Sequence, residues 1–455
     1  MSSEVDARAL AYELAQTVTR VFRAGVPESI RAKTRLHIAD ALSVGLAARD
    51  TDLARQVERA QRRGGGEGAH GVIGAGPASA LGAVFTNAAL IHILDYDDIH
   101  DVGRLHPGPC VLPAIMGAAH LGKVSDEALV DAVALGNELM CRLGVVCAPQ
   151  GEGPGSEWFL TQLFGYLGSA LGAGLVLELD VLELVSCLGL AYMQLAGGKE
   201  SGFGTGATSR GIYPAFAAQG GLQAALLAQA GVVGPVGSLD GAAGMFRIYL
   251  AGALAPRQRR VLLDFSTWHG ADVEIKLWPS CRLSHPYISV ALAARETSLA
   301  HPGARVRVAV NASAGRLCRP LAQRRRPRTL QDAKYSIPFM TAYALAHGEP
   351  TLEGLSAQVL SDAKVLALAD RIELEDSLPD GPAHPEAELT LLEDGRTLLH
   401  TVFDAGDIHV TEERARLKFD DCLRYVGREG QADRLWQRLM QGQVRAAFEM
   451  ACSAP

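Results

Sequence analysis

Residues 159–177 read FLTQLFGYLGSALGAGLVL and contain no charged side chain. Drawn as a helix, this stretch is apolar on every side, which is typical of a helix inside a large core. A second uncharged run, residues 211–239, is long enough to cross a membrane. Pro214, Pro235 and three glutamines interrupt it. We therefore predict buried helices of a large soluble core at both places and no interaction with a membrane.

The composition narrows the class of protein further. Of the 455 residues, 48% are hydrophobic and 20% are charged, a balance that excludes disorder for most of the chain. The net charge of −7 argues against a nucleic-acid partner, since nucleic-acid binders usually carry a basic surplus. The eight cysteines form no CxxC motif, and the N-terminus shows no signal-peptide core. These features predict a cytoplasmic protein with reduced, mostly buried thiols.

The first 260 residues are rich in Ala, Leu and Gly, and their apolar positions recur with helical spacing. Ser125 is a suitable N-cap for one of these helices, and Glu138 and Arg142 form an i,i+4 pair on it. The predicted helices are Ser29–Ala48, Ser125–Leu143, Tyr166–Leu177, Val181–Gln194 and Tyr213–Ala230.

The pattern changes after about residue 265. Residues 305–311, RVRVAVN, alternate as a half-buried strand should. Two further strands, residues 387–392 and 397–403, surround the turn signal Glu393-Asp394-Gly395. Helices are predicted at residues 287–299 and 337–346, and helical character returns from Glu412. The sequence therefore predicts a mostly α protein with a second α+β domain.

The densest cluster of ionisable groups is residues 92–101, HILDYDDIHD, followed by His106-Pro107-Gly108. It contains four acids within seven residues, which repel one another unless they are solvated, bind a cation or surround a reacting group. If Asp95 and Asp98 share a helix face, they suit Mg²⁺, Mn²⁺ or Fe²⁺. The spacing alone leaves catalysis, metal binding and a solvated turn open.

Several segments together resemble the MmgE/PrpD family. They are NAALIHILDYDD at 87–98, His-Pro-Gly at 106–108, the Glu and Arg of 136–142, KLWPSCRLSHP at 276–286 and Lys-Phe at 418–419. The resemblance covers most of residues 10–430. The family includes 2-methylcitrate dehydratase, cis-aconitate decarboxylase and iminodisuccinate epimerase.

The resemblance implies a large all-helical domain from both ends of the chain, residues 1–265 and 405–455, with an α+β lid at 266–404. It also implies a homodimer that uses no cofactor and no metal. Its substrate would be a small di- or tricarboxylate. The enzyme would abstract a proton next to a carboxylate, and elimination, decarboxylation or reprotonation would follow.

The resemblance also implies roles for individual residues. Asp95 and His106 match catalytic positions of the family, and His106 can titrate near neutral pH. Lys276 matches a lysine of the cleft, and Arg210 stands where relatives carry a lysine; both would bind substrate carboxylates. Cys281 is predicted as a proton donor or acceptor.

Arg282 is predicted at the substrate, where it or Lys276 would lower the pKa of Cys281.

The sequence departs from the family at four further places. Phe159 replaces a cleft histidine, Ile99 stands where threonine is common, and Tyr213 stands where histidine is common. Cys281 replaces the histidine of the decarboxylase branch and is shared with the epimerase-like branch. Fewer polar groups would weaken recognition of a tricarboxylate, so we expect a smaller or more apolar carboxylate than cis-aconitate.

The first hypothesis is therefore a lyase, similar to 2-methylcitrate dehydratase, that dehydrates or decarboxylates its substrate. An epimerase that uses two bases is the second hypothesis. The third is a homologue that binds carboxylates without catalysis.

Overall fold

The computed structural model describes residues 9–147, 157–202, 207–250, 252, 254–379 and 386–453. Its helices are α1 Leu10–Ala24, α2 Glu28–Ala47, α3 Asp52–Gly65, α4 Ala80–Ile93, α5 Gly108–Ala119, α6 Asp126–Cys147, α7 Leu160–Val176, α8 Val181–Tyr192, α9 Tyr213–Gln229, α10 Met245–Tyr249, α11 Pro256–Leu263, α12 His285–Ala300, α13 Ala312–Gly315, α14 Leu321–Arg325, α15 Leu330–Lys334, α16 Ile337–His347, α17 Ala363–Asp370, α18 Glu412–Tyr425, α19 Ala432–Met440 and α20 Val444–Cys452. Its strands are β1 His70–Val72, β2 Ala75–Ala78, β3 Ile99–His100, β4 Val273–Glu274, β5 Arg305–Val310, β6 Ile372–Asp376, β7 Glu388–Glu393 and β8 Arg396–Val402.

The described chain divides into two compact units. The first holds residues up to 202, residues 209–275 and residues from 412 onward, and the second holds residues 276–411 with 207–208. The chain is mostly helical, and its four-stranded sheet belongs to the second unit. The sequence predicted domain limits at 265/266 and 404/405. These limits stay a prediction.

Helix α7 lies at the centre of the first unit. All of its residues are buried, and it packs against α5, α6 and α9. Glycines permit this close packing: a Cβ on Gly168 would lie 2.5 Å from Met140 Cγ, and one on Gly221 would lie 2.4 Å from Ser169 Cβ. The predicted buried helix is confirmed, and it begins at Leu160, earlier than the predicted Tyr166. None of the described helices is long and apolar enough to span a bilayer.

Two small antiparallel pairs in the first unit were not predicted. Strands β1 and β2 form one, and β3 pairs with β4 through Ile99–Glu274 and His100–Val273. Strand β2 contains Gly76 and Pro77, which disfavour a strand. The second pair joins segments far apart in the sequence, so only the tertiary fold brings them together.

The second unit is built on a sheet with the order β6-β5-β7-β8. Val306, Val308 and Val310 are fully buried, as the alternation predicted. Strands β7 and β8 are joined at Asp394 and Gly395, whose φ angles are 50° and 77°, and the predicted hairpin is confirmed. Strand β6, whose sequence is IELED, was not predicted; it runs parallel to β5.

A buried ion pair fixes the segment that leads to β4. Arg142 Nε lies 2.7 Å from Glu138 Oε1 within α6, and both side chains are completely buried. Glu138 accepts hydrogen bonds from the backbone N–H groups of His269 and Gly270, at 3.0 and 2.6 Å. Arg142 donates to the carbonyl oxygen of Thr267 at 2.5 Å. The predicted i,i+4 pair is confirmed, and in the fold it also holds residues 267–270 against α6.

All eight cysteines lie within the described residues, and none forms a disulfide. Five of them are buried, which confirms the prediction of reduced, mostly buried thiols.

We expect Glu138→Ala to lower the free energy of unfolding by about 3–5 kcal/mol, because it leaves the Arg142 charge buried without its carboxylate. Urea denaturation measures the change. The matched control is Asp420→Ala, which breaks the half-exposed i,i+4 pair with Arg416 and should cost less than about 1 kcal/mol. Equal effects of the two variants would contradict the role given to burial.

Candidate active site

The acidic segment begins where α4 ends. Helix α4 stops at Ile93, and Asp95 adopts a left-handed backbone conformation with φ of 54° while its N–H donates to the carbonyl oxygen of His92. Gly and Asn are the most frequent residues at this position after a helix, and Asp adopts it less often. Asp95 and Asp98 therefore do not share a helix face, and the premise of the metal-binding alternative is wrong.

Asp97 connects two histidines. Its Oδ2 lies 2.8 Å from Nδ1 of His92 and 3.3 Å from Nδ1 of His106. The same His106 Nδ1 is 2.6 Å from the carbonyl oxygen of Asp98, and the His106 N–H donates to Thr161 Oγ1 at 3.0 Å. Because two oxygens face Nδ1, we assign the ring proton to that nitrogen, which leaves the lone pair of the neutral ring on Nε2.

Burial distinguishes the members of this cluster. The side chains of His92 and Asp97 are 1% exposed, whereas that of His106 is 14% exposed. Asp95 and Asp98 are each only 3% exposed, so a solvated turn does not describe this segment. His106 is therefore the accessible end of a buried His–Asp–His group.

Asp98 is buried in the same segment, but it differs from Asp97 in its contacts. Both of its carboxylate oxygens accept from the N–H of Gly108, at 3.0 and 3.1 Å, and His37 Nδ1 is 3.9 Å away. Burial, together with the charges of Asp97 and Asp40, raises the pKa of Asp98 well above its usual range. A neutral Asp98 relieves the repulsion that four nearby acids would otherwise create.

Aromatic rings line the other side of His92. Tyr213, at the start of α9, meets the His92 ring edge to face at 4.8 Å, and Phe159 stacks on Tyr213 at 4.2 Å. Arg210 lies over Phe159, with 5.9 Å from its guanidinium carbon to the ring centroid, and donates to the carbonyl oxygen of Gly202 at 2.7 Å. Burial raises the pKa of the Tyr213 hydroxyl. The structure thus brings Phe159, Tyr213 and Arg210 together beside the histidines.

Four predicted site residues remain: Ile99 in the first unit and Lys276, Cys281 and Arg282 in the second. Ile99 is buried in β3, directly after Asp98. The others belong to the second unit, where Lys276 is fully buried, Arg282 is 7% exposed and Cys281 is partly exposed. The N–H of Cys281 donates to the carbonyl oxygen of Lys334 at 3.0 Å. Their predicted roles stay predictions.

Sequence reasoning placed His92 and Asp97 in the acidic cluster but gave neither a role. Thr161 was missed as part of this site, and Lys418 was singled out by the resemblance but given no role. The spacing of His92 and Asp97 gave no signal of a contact, because the turn at Asp95 between them is not helical. Thr161 comes from α7, and only the packing of that helix brings its hydroxyl to His106.

Two nitrogens and one carboxylate oxygen of this cluster could hold a metal ion. The ligand atoms of His92, Asp97 and His106 all lie within 4.8 Å of one another, the one such group found among the described residues. Two histidines and a carboxylate suit Fe²⁺ or Zn²⁺. Nδ1 of His106 is 2.6 Å from the Asp98 carbonyl oxygen, so a metal ion at this residue would bind Nε2 or displace that hydrogen bond. The expectation that no metal or cofactor is used stays a prediction.

We expect Asp95→Asn to keep or raise stability, by up to about 1 kcal/mol, because Asn tolerates the left-handed conformation and removes one charge from a crowded buried cluster. Thermal unfolding and urea denaturation measure the effect. The control is Asp394→Asn at the exposed hairpin turn, which has a φ of 50° but no such cluster. A clear loss of stability in Asp95→Asn alone would show that the carboxylate is needed for folding.

We expect stability to fall on acidification because of His37. Burial, helped by Lys33 and Lys418, lowers the pKa of His37 from 6.5 to about 3. Between these values the unfolded state binds one more proton, so unfolding becomes easier as pH falls. The loss from pH 6.5 to pH 5 should be about 1.5 kcal/mol.

The raised pKa of Asp98 acts in the opposite sense, because its contribution to stability is lost as pH rises. The contribution of His37 is therefore the difference in pH dependence between the wild type and His37→Asn. His400→Asn, on half-exposed β8, is the control. Identical pH profiles for wild type and His37→Asn would contradict the assignment.

Comparison with known proteins identifies the family of this chain. The sequence model of the MmgE/PrpD N-terminal domain matches residues 12–258, and that of the C-terminal domain matches residues 278–441. The chain is 30% identical over 229 residues to a cis-aconitate decarboxylase of Aspergillus terreus, covering 48% of this chain and 46% of that protein. It is 29% identical over 234 residues to the cis-aconitate decarboxylase-like protein oryM of Aspergillus oryzae, covering 49% and 47%. The chain thus spans about half the length of the curated relatives it matches. Because the two domain models match most of its length, the chain belongs to the MmgE/PrpD family.

Proposed function

We propose that this protein is a lyase that removes a proton next to a carboxylate of a small di- or tricarboxylate and then expels water or CO₂, without a cofactor. The observation that carries the proposal is the position of His106, which is accessible on one side and held by Asp97 and the Asp98 carbonyl on the other. Membership of the family and the decarboxylase names of its relatives support lyase chemistry.

The imidazole ring of His106, which is held through Nδ1, is suited to act as a general base. With the proton on Nδ1, Nε2 of His106 can accept the proton of a substrate carbon. The imidazolium that forms is then stabilised by the Asp97 carboxylate 3.3 Å from Nδ1. His92 holds the same Asp97 oxygen at 2.8 Å and thereby limits its movement. Asp95 is proposed as the second proton-transfer group of the site.

Removing a proton beside a carboxylate concentrates negative charge on that carboxylate. Fixed positive groups lower the energy of such an intermediate. Arg210 is proposed as one of these groups, because its planar guanidinium can bind a carboxylate through two hydrogen bonds. Lys276 and Arg282 are proposed as further carboxylate ligands, and Cys281 as a proton donor or acceptor.

The aromatic pair points to the class of substrate. Phe159 and Tyr213 stack with planes 12° apart. The resemblance to the family implies histidines at both positions, so the proposed site has aromatic rings in their place. A carboxylate group that finds no donor loses much of its binding energy. We therefore propose a substrate that is smaller or more apolar than cis-aconitate. Ile99 is proposed as a further apolar contact of the substrate.

An epimerase is the second candidate. It would need two bases on opposite sides of one carbon, and Cys281, which is partly exposed, is the residue that favours it. A homologue that binds carboxylates without catalysis is the third. Assembly as a homodimer and a cytoplasmic location remain part of the proposal, and analytical ultracentrifugation tests the dimer.

The test is proton exchange and product formation followed by NMR in D₂O, with 2-methylcitrate, citrate, cis-aconitate, iminodisuccinate stereoisomers and smaller dicarboxylates. We expect loss of water or CO₂ from one compound. His106→Gln should lower the rate by about 10²–10⁴-fold, since it removes the general base. Asp97→Asn should also lower it while substrate binding is retained. His120→Gln, in a separate cavity, is the control and should keep the rate.

The outcomes separate the candidates. Exchange or inversion with an intact carbon skeleton would support the epimerase, and tight binding without exchange would support the binding protein. Full activity of His106→Gln would contradict the proposed base. Turnover of cis-aconitate faster than that of smaller or more apolar carboxylates would contradict the proposed substrate class.

A further inference from the structure

Lys418 on α18 reaches the acidic loop from the far end of the chain, 322 positions after Tyr96. Its side chain is 4% exposed. Nζ donates to the carbonyl oxygen of Tyr96 at 2.6 Å and lies 2.6 Å from Oδ1 of Asp40 on α2. The ammonium is also 3.9 Å from the centroid of the Tyr96 ring, within cation–π range. One buried cation therefore contacts a main-chain carbonyl, a carboxylate and an aromatic ring.

The carbonyl that Lys418 binds lies between two residues of the proposed site. Asp95 comes directly before Tyr96, in its left-handed conformation, and Asp97 comes directly after it. The carbonyl of Tyr96 and the N–H of Asp97 belong to one planar peptide group. Fixing the Tyr96 oxygen therefore fixes the direction in which the Asp97 backbone leaves, and with it the carboxylate that His92 and His106 share.

Stability alone is a weak reason for such a contact. A buried ion pair loses most of its Coulomb energy to desolvation, and two apolar residues of similar size are often as stable. The Lys418–Asp40 pair is buried on both sides, with side chains 4% and 3% exposed. What an apolar pair would not supply is the hydrogen bond to the Tyr96 carbonyl.

We infer that Lys418 is a positioning residue: it binds the Tyr96 carbonyl and thereby holds Asp97 in the geometry that orients His106. The inference rests on the proposed function, because Asp97 matters for catalysis only if His106 transfers the proton. Lys418 itself is buried beneath the loop and acts through Asp97.

The test removes both charges together, in the double variant Asp40→Leu with Lys418→Met, so that no charge is left buried alone. We expect its midpoint of thermal unfolding to stay within a few degrees of the wild type, as for other replaced ion pairs. We expect kcat to fall on the order of 100-fold, the cost of a displacement near 1 Å at a reacting group. KM should change by less than about threefold.

The matched control is another ion pair of the first unit, between Arg31 on α2 and Asp131 on α6, with Nε to Oδ1 at 2.6 Å. The double variant Arg31→Met with Asp131→Leu should lose stability, because the Val26 N–H also donates to Asp131, and yet keep kcat. If the role of Lys418 is only structural, kcat should be unchanged in both double variants.

Amide hydrogen exchange, measured by mass spectrometry without substrate, gives a second readout that does not depend on turnover. Loss of Lys418 should speed exchange of the amides of residues 95–98 and leave α7 protected. Wild-type kcat together with unchanged exchange in the Asp40/Lys418 variant would overturn the inference. If the wild type turns over no substrate, the proposed function fails. Exchange at residues 95–98 then still decides whether Lys418 holds the loop.

Discussion

The carboxylate of Asp97, shared between His92 and His106, is the contact on which the rest of the site depends. It requires three separate conditions. Helix α4 must end at Ile93 so that the chain can turn at Asp95. The next residue, Tyr96, must be held through its carbonyl oxygen, to which Lys418 donates a hydrogen bond. The His106 backbone must also be fixed, and Thr161 of the central helix does this. The acidic segment is therefore a product of the surrounding helices and not an independent loop.

Ion pairs recur in the first unit at points where distant segments must be held. The Glu138–Arg142 pair holds residues 267–270, and the Lys418–Asp40 pair joins α18, α2 and the acidic loop. In each case the charged groups also bind backbone N–H or C=O groups. A helical core rich in Ala and Gly supplies close packing but few directional contacts. The buried charged groups add directional contacts. Their hydrogen bonds to the backbone offset part of the free-energy cost of burying them.

Local patterns predicted the regular elements well. Residues 305–310 form a strand because buried valines alternate with Arg305, Arg307 and Ala309. Asp394-Gly395 forms a tight turn because both residues tolerate positive φ. Helices built on apolar spacing were found within about four residues of their predicted limits, except that α7 begins at Leu160 and not at Tyr166. The two-residue strands β3 and β4 were missed because nothing local specifies them. Strand β6 was missed because three of its five residues are Glu or Asp, which disfavour strands.

By itself, the sequence determined the helical core, the alternating strands of the sheet, the hairpin turn and the position of the acidic cluster. These follow from side-chain period and backbone preference, which act over a few residues. The tertiary structure decided which acid meets which histidine, which carboxyl group has a raised pKa and which distant lysine binds the Tyr96 carbonyl. The physical reason is that hydrogen bonds and desolvation depend on distances and burial set by the whole fold. In this chain, those distances join residues separated by up to 322 positions.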